Sequence, residues 1–356
     1  AEARAMIARA RRPVVLAGVE IHRFGLQRRL LHLLERSGFP IAATLLGKSV
    51  VGETHPQYLG VYEGAIGRDD VRRAVESSDC LLLLGAFLTD IDFGMLATRF
   101  DEARTVNATA ERVSIRHHHY EDVPLGEFLS GLARVIRRRR QARPRRRPAA
   151  PYVPRGSAPI TVRRFFQRLN AFLDARSVVI CDIGDSLFGA ADLTIHQRTE
   201  FLSPAYYTSM GFAVPAALGV QMARPAVRPI VIVGDGAFQM TGHELSSLAR
   251  YGSRALVFVL NNRGYTTERF IHEGPYNDVH EWAYHLMPQL LRSGRGFEVR
   301  TEGDLERVLR AVSAPVHDLS VVNVHLDPLD RSAALERLTR RLGRRTGLEP
   351  RRGGAR

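Results

Sequence analysis

Lysine is almost missing from this chain. Of 51 basic residues only Lys48 is a lysine, and so lopsided a ratio points to a compositional bias spread over the surface. The net charge of +14 and pI near 10.6 would otherwise suggest a nucleic-acid partner. The densest basic run, over 137–147, has no interleaved aromatic residue on which a base could stack. With its prolines it reads as a solvated linker, so nucleic acid is not an expected partner. Cysteine is nearly as scarce: Cys80 and Cys181 both lie inside apolar runs and read as buried reduced thiols. No apolar stretch approaches the roughly 20 residues that cross a bilayer, and Ala1-Glu2-Ala3-Arg4 shows no apolar signal-peptide core. A cytoplasmic protein without a membrane partner is expected.

What the chain does have is a regular alternation. Before the linker, "RPVVLAG", "PIAATL", "CLLLLGA" and "TVNATA" read as strands separated by helical stretches such as 26–37. After it, "SVVICDIG", "PIVIVGDG", "ALVFVLNN" and "LSVVNVHL" alternate with helices over 162–175, 211–223, 242–251 and 305–313. Strands alternating with helices imply parallel, helix-covered sheets. The fold class is therefore α/β, with two doubly wound parallel-sheet domains. A helix opens the chain, and the C-terminal helix should fray into a basic tail beyond about Leu342.

Two polar knots interrupt this pattern. Gly234-Asp235-Gly236 closes one fully apolar strand and Asn261-Asn262-Arg263-Gly264 closes another, with 24 residues between Gly236 and Asn261. Open α/β sheets bind ligands at the carboxyl ends of their strands. Asp235 offers a carboxylate, Asn262 a side-chain carbonyl, and Gly264 can turn its backbone carbonyl to the same point. Few protein oxygens with positions left open for water and phosphate suit Mg²⁺, and the helix start after Gly236 suits an anion. Together the knots read as a metal–diphosphate clamp; Gly-Asp-Gly alone would be a plain turn.

The stretches "GDGAFQMTGHEL", "NNRGYTTERFIH", "YNDVHEW", "DIGDSLFGAADL", "YYTSMGFAVPAALG" and "GKSVVGETHPQYLGVYEGAIG" resemble the thiamine diphosphate-dependent 2-oxo acid decarboxylases. The nearest group is the pyruvate, indolepyruvate and phenylpyruvate decarboxylases. The resemblance implies a central domain over 1–136, a linker over 137–157, a diphosphate-binding domain over 158–330 and a helix with basic tail over 331–356. It implies Mg²⁺ ligands at Asp235, Asn262 and Gly264, and contacts to thiamine diphosphate at Gly184, Asp185, Gly234, Gly236 and Ala237. Met210 would brace the bent cofactor; its alternative is ordinary core packing. Glu268 would be the catalytic carboxyl, binding the substrate carboxylate and later returning a proton to the carbon that lost CO₂. Its alternative is a helix-start acid paired with Arg269. For Gln239 and Glu244 structural roles are expected.

The family also has an amino-terminal domain that binds the aminopyrimidine, and neither expected unit corresponds to it. The resemblance therefore implies that activity on a small 2-oxo acid needs that domain, from a longer chain or a separate polypeptide. A homo-oligomer is expected, because family sites form between subunits. The alternatives are an acetolactate synthase-like carboligase, against which "GYTTER" and "YNDVHEW" argue, and a non-catalytic cofactor-binding remnant. The run His117-His118-His119 suggests a metal site, but consecutive side chains cannot converge from one strand or helix face. A surface loop is expected there.

Overall fold

Each apolar run bounded by turn residues becomes a strand of a helix-covered sheet, in two compact units. The first comprises Ala1–Ala149 with Thr194–Glu200, the second Ala150–Leu193 with Phe201–Arg356. The computed structural model describes residues 1–90, 92–93, 100–138, 151–196, 200–313 and 318–346. Most of the expected linker run and the end of the basic tail lie outside the described residues. No described helix is long and apolar enough to cross a membrane.

In the first unit the strands are β1 (Pro13–Ala17), β2 (Ile41–Thr44), β3 (Tyr58–Tyr62), β4 (Cys80–Leu84), β5 (Thr105–Ala108), β6 (Val113–Ile115) and β7 (His118–Tyr120). Their order is β3-β2-β1-β4-β5-β6-β7. The first five run parallel, and all five residues of β1 and of β4 are buried, as a sheet covered on both faces requires. The sequence did not disclose β3 or the antiparallel hairpin of β6 and β7.

The triple histidine is a loop only at its first residue: His117 lies in the turn between β6 and β7. His118 and His119 lie on the exposed edge strand β7. Alternation sends His118 to the Glu2 carboxylate at 3.0 Å and His119 to the Ser114 hydroxyl at 2.9 Å, so the imidazoles diverge.

The lone lysine has a structural use. Lys48 Nζ donates to both oxygens of Glu53 at 2.9 Å, with both side chains almost fully buried. Glu53 also accepts from the Tyr58 hydroxyl at 2.8 Å and from the Ile195 amide at 2.8 Å. The pair thus ties Ile195 into the first unit. Removing one partner of such a pair strands a buried charge, at about 3–5 kcal/mol. Lys48→Ala is expected to lower the unfolding free energy of this unit by that much. A change below about 1 kcal/mol in urea unfolding followed by circular dichroism would show that Glu53 is not held by Lys48.

The second unit has β8 (Ser177–Cys181), β9 (Phe201–Leu202), β10 (Arg228–Gly234), β11 (Leu256–Asn261), β12 (Arg295–Val299) and β13 (Ser320–His325), in the order β12-β13-β11-β10-β8-β9. All neighbours are parallel. Residues Ile230 to Val233 of β10 are fully buried. Phe165 and Phe258 meet edge to face at 5.2 Å, and Phe238 meets Tyr284 at 5.3 Å. The chain leaves β8 toward β9 on one side and later returns to β10 on the other. This reversal opens a crevice at the carboxyl ends of β8 and β10.

Candidate cofactor and metal site

Three adjacent strand ends meet at that crevice: Asp182 to Asp185 after β8, Gly234 to Gly236 after β10, and Asn261 to Gly264 after β11. Asp235 begins the helix Asp235–Thr241 and is only 2% exposed. Its carboxylate accepts from the Gly236 amide at 2.8 Å and, across to the next strand end, from the Gly264 amide at 3.1 Å. One carboxylate therefore joins the two polar knots. Burial pushes its pKa up to about 6 despite these bonds, because desolvation disfavours the charged form.

Asn262 is held from one side only. Its Nδ2 donates to the Thr266 hydroxyl at 2.5 Å, while its Oδ1 is buried without a hydrogen-bond partner among the described residues. Gly264 needs to be glycine: its φ is +159°, and a Cβ there would lie 2.3 Å from the Asn277 carbonyl oxygen. Among the described residues, Gly184 has φ +80° and only Thr267 Oγ1, at 3.7 Å, would lie near its Cβ, and Gly234 has nothing within 4 Å. Both thus leave open space where a ligand's phosphate can approach backbone. Gly236 differs, with the Tyr265 ring lying over it. Ala237 packs into the core instead of the opening.

Asp185 uses its carboxylate as well as its backbone. Oδ2 accepts from the Ser332 amide at 2.7 Å, Oδ1 is buried without a hydrogen-bond partner among the described residues, and burial raises the pKa to about 6. Sequence reasoning passed over Asp182, although it follows an apolar run just as Asp235 does. Its carboxylate accepts from the amides of Gly211 at 3.1 Å and Ala213 at 2.9 Å. It thereby fixes the loop before the helix Ala213–Ala223. That loop carries Met210, which is 39% exposed and so lies outside the described core. Thr208 and Gly211 flank it with φ of 55° and 87°.

Glu268 lies in the short helix Thr266–Arg269 and is exposed. Arg269 does not pair with it: the guanidinium binds Glu273 at 3.0 Å and Asp278 at 2.5 Å. Gln239 donates to the His280 carbonyl at 2.6 Å and the Tyr284 hydroxyl at 2.9 Å, the structural part expected of it. Glu244 accepts from Ser247 at 2.9 Å.

The donor set is one carboxylate, one free amide oxygen and backbone. Among the described residues no cluster of three or more His, Cys, Asp or Glu side chains could hold a metal ion. A sparse, all-oxygen set fits a hard divalent cation that keeps other ligands, and does not fit zinc or copper.

Comparison with known proteins shows which family the two units resemble. Residues 1–132 match the thiamine pyrophosphate enzyme central domain, and residues 182–324 match the thiamine pyrophosphate enzyme C-terminal TPP binding domain. The alpha-keto-acid decarboxylase of Mycolicibacterium paratuberculosis is 33% identical over 348 residues, covering 95% of this chain and 62% of that protein. That of Mycobacterium avium is 34% identical over 347 residues, with the same coverage. The indole-3-pyruvate decarboxylase of Azospirillum brasilense is 33% identical over 305 residues, covering 83% of this chain and 55% of the relative. The chain thus spans less than two thirds of the length of these relatives.

Proposed function

The chain belongs to the thiamine pyrophosphate enzyme family, and from that premise we propose that it is the thiamine diphosphate- and Mg²⁺-binding portion of a 2-oxo acid decarboxylase. The observation that carries the proposal is the buried, unpartnered Oδ1 of Asn262, next to an Asp235 carboxylate that already ties both knots together. Asp235, Asn262 and the Gly264 carbonyl would hold Mg²⁺. The backbone at Gly184, Asp185, Gly234, Gly236 and Ala237 would receive the diphosphate. Met210, on its pinned loop, would brace the cofactor's bend.

Thiamine diphosphate, when bound, supplies the carbon nucleophile and the electron sink for losing CO₂ from a 2-oxo acid. The protein's part is geometry and proton handling. Glu268 lies four residues beyond Gly264 and is free of Arg269, so its carboxyl is available to bind the substrate carboxylate and to move a proton. The relatives' names include indole-3-pyruvate decarboxylase, which supports an aromatic 2-oxo acid as substrate. The reaction would need the pyrimidine-binding domain of the family, and a homo-oligomer or a complex with that domain is the proposed working state.

With that domain supplied, CO₂ release should require both Mg²⁺ and thiamine diphosphate, and should be faster with phenylpyruvate or indolepyruvate than with pyruvate. No release from any of the three overturns the decarboxylase reading; a preference for pyruvate overturns the aromatic assignment.

A further inference from the structure

We propose that Thr266 is a positioning residue, which sets the Asn262 amide so that its oxygen, and not its nitrogen, faces the cation. The proposal rests on the clamp reading above and concerns a residue that reading does not use. An amide's oxygen and nitrogen are nearly equal in shape, so packing alone does not choose between them; the hydrogen-bond partners must.

Here the proton count chooses. The Thr266 hydroxyl is buried, with its residue 4% exposed, and has two neighbours. One is the Pro328 carbonyl oxygen at 3.2 Å, which can only accept, so it takes the single hydroxyl proton. The hydroxyl oxygen then has only lone pairs for its second neighbour, at 2.5 Å. That neighbour must be a donor, and therefore the NH₂ of Asn262. Oδ1 is turned the other way, where it is buried and has no partner among the described residues. An acceptor aimed into a site and left free this way suits a hard cation.

Pro328 is itself fixed, so the direction of the chain of bonds is set from outside the clamp. The turn after β13 is closed by the Leu329 amide on the Asp327 carboxylate at 2.8 Å and the Asp330 amide on the Asp327 carbonyl at 3.1 Å. Its far end is held by the Ser332 amide on Asp185 at 2.7 Å. Arg331 stacks over the Phe270 ring at 3.8 Å, just beyond the helix that Thr266 starts. A segment 62 residues away in sequence thus decides which atom of Asn262 is presented.

The test is Mn²⁺ binding by the 356-residue chain in the presence of thiamine diphosphate, followed by electron paramagnetic resonance. Thr266→Val keeps the shape and removes the hydroxyl; it should weaken Mn²⁺ by about 10–100-fold, the usual cost of losing a partner that orients a metal ligand. Thr266→Ser should bind within about threefold of wild type. In an Asn262→Asp background both side-chain oxygens are acceptors and no wrong orientation exists. There Thr266→Val should cost little more, which a merely structural role would not produce. If Thr266→Val does not fold, Thr266→Ala reads the same comparison. Wild-type binding with an unaffected Thr266→Val, or an equal loss in the Asn262→Asp background, overturns the inference. Absence of metal binding by wild type overturns the clamp, and this inference with it.

Discussion

Asp235→Ala is expected to abolish Mg²⁺-dependent binding of thiamine diphosphate while leaving the fold in place. The carboxylate is the charged side chain among the proposed Mg²⁺ ligands, and it joins the two knots by accepting from the Gly236 and Gly264 amides. Calorimetry should show at least a hundredfold loss of cofactor affinity in Mg²⁺ and no remaining difference between Mg²⁺ and chelator. Two opposing effects act on the metal-free fold. Two amides lose their acceptor, at about 1–3 kcal/mol for a buried group. Against that, the variant is relieved of a carboxylate whose pKa is raised to about 6 by burial. A raised carboxyl pKa means that the metal-free protein is favoured at low pH and loses stability as pH rises through about 6. The metal-free variant should therefore lack this loss and melt close to wild type at pH 7.

The same titration predicts the pH dependence of binding. The ligand must be ionised, so wild-type Mg²⁺ affinity should hold above about pH 7 and fall as pH drops through 6. Unchanged cofactor affinity in Asp235→Ala, with and without Mg²⁺, would sink the clamp assignment.

Glu268→Gln should separate chemistry from binding. The side chain is exposed, belongs to the helix that follows the clamp, and is not neutralised by Arg269, whose guanidinium is engaged by Glu273 and Asp278. Glutamine keeps the size and can donate a hydrogen bond but cannot exchange a proton. With the pyrimidine-binding domain supplied, cofactor and Mg²⁺ affinities should stay within about twofold. Turnover of the 2-oxo acid should fall by roughly 10²–10⁴, the range for a lost acid–base group. Near-normal turnover would remove Glu268 from the chemistry, and a lost cofactor affinity would assign it to the clamp.

Much of the architecture follows from local pattern. "PIVIVGDG" and "ALVFVLNN" are apolar at every strand position, and such runs survive only with both faces covered. Strand identity, parallel pairing and a polar residue at the strand end are therefore visible without partners. Most elements that escaped notice have a weak pattern: the two-residue β9, the half-exposed β12 and the β6–β7 hairpin, whose β7 is exposed throughout; β3 escaped as well, although four of its five residues are buried. That the histidine run does not converge on an ion was legible because consecutive side chains cannot share one face; that His118 and His119 form a strand depended on Val113–Ile115 pairing with them.

The sequence by itself determined that Asp235, Asn262 and Gly264 stand at neighbouring strand ends, because burial period and glycine placement are properties of adjacent residues. Tertiary structure alone decided how these groups are set. Asp235 reaches the Gly264 amide, 29 residues on. Asp182 holds the Met210 loop across 29 and 31 residues, and Asp185 meets Ser332 across 147. Which atom of Asn262 is left free depends on a proton that Thr266 gives to Pro328. A hydrogen bond's direction is a property of the pair, and the partner's position is set only when distant strands come into register.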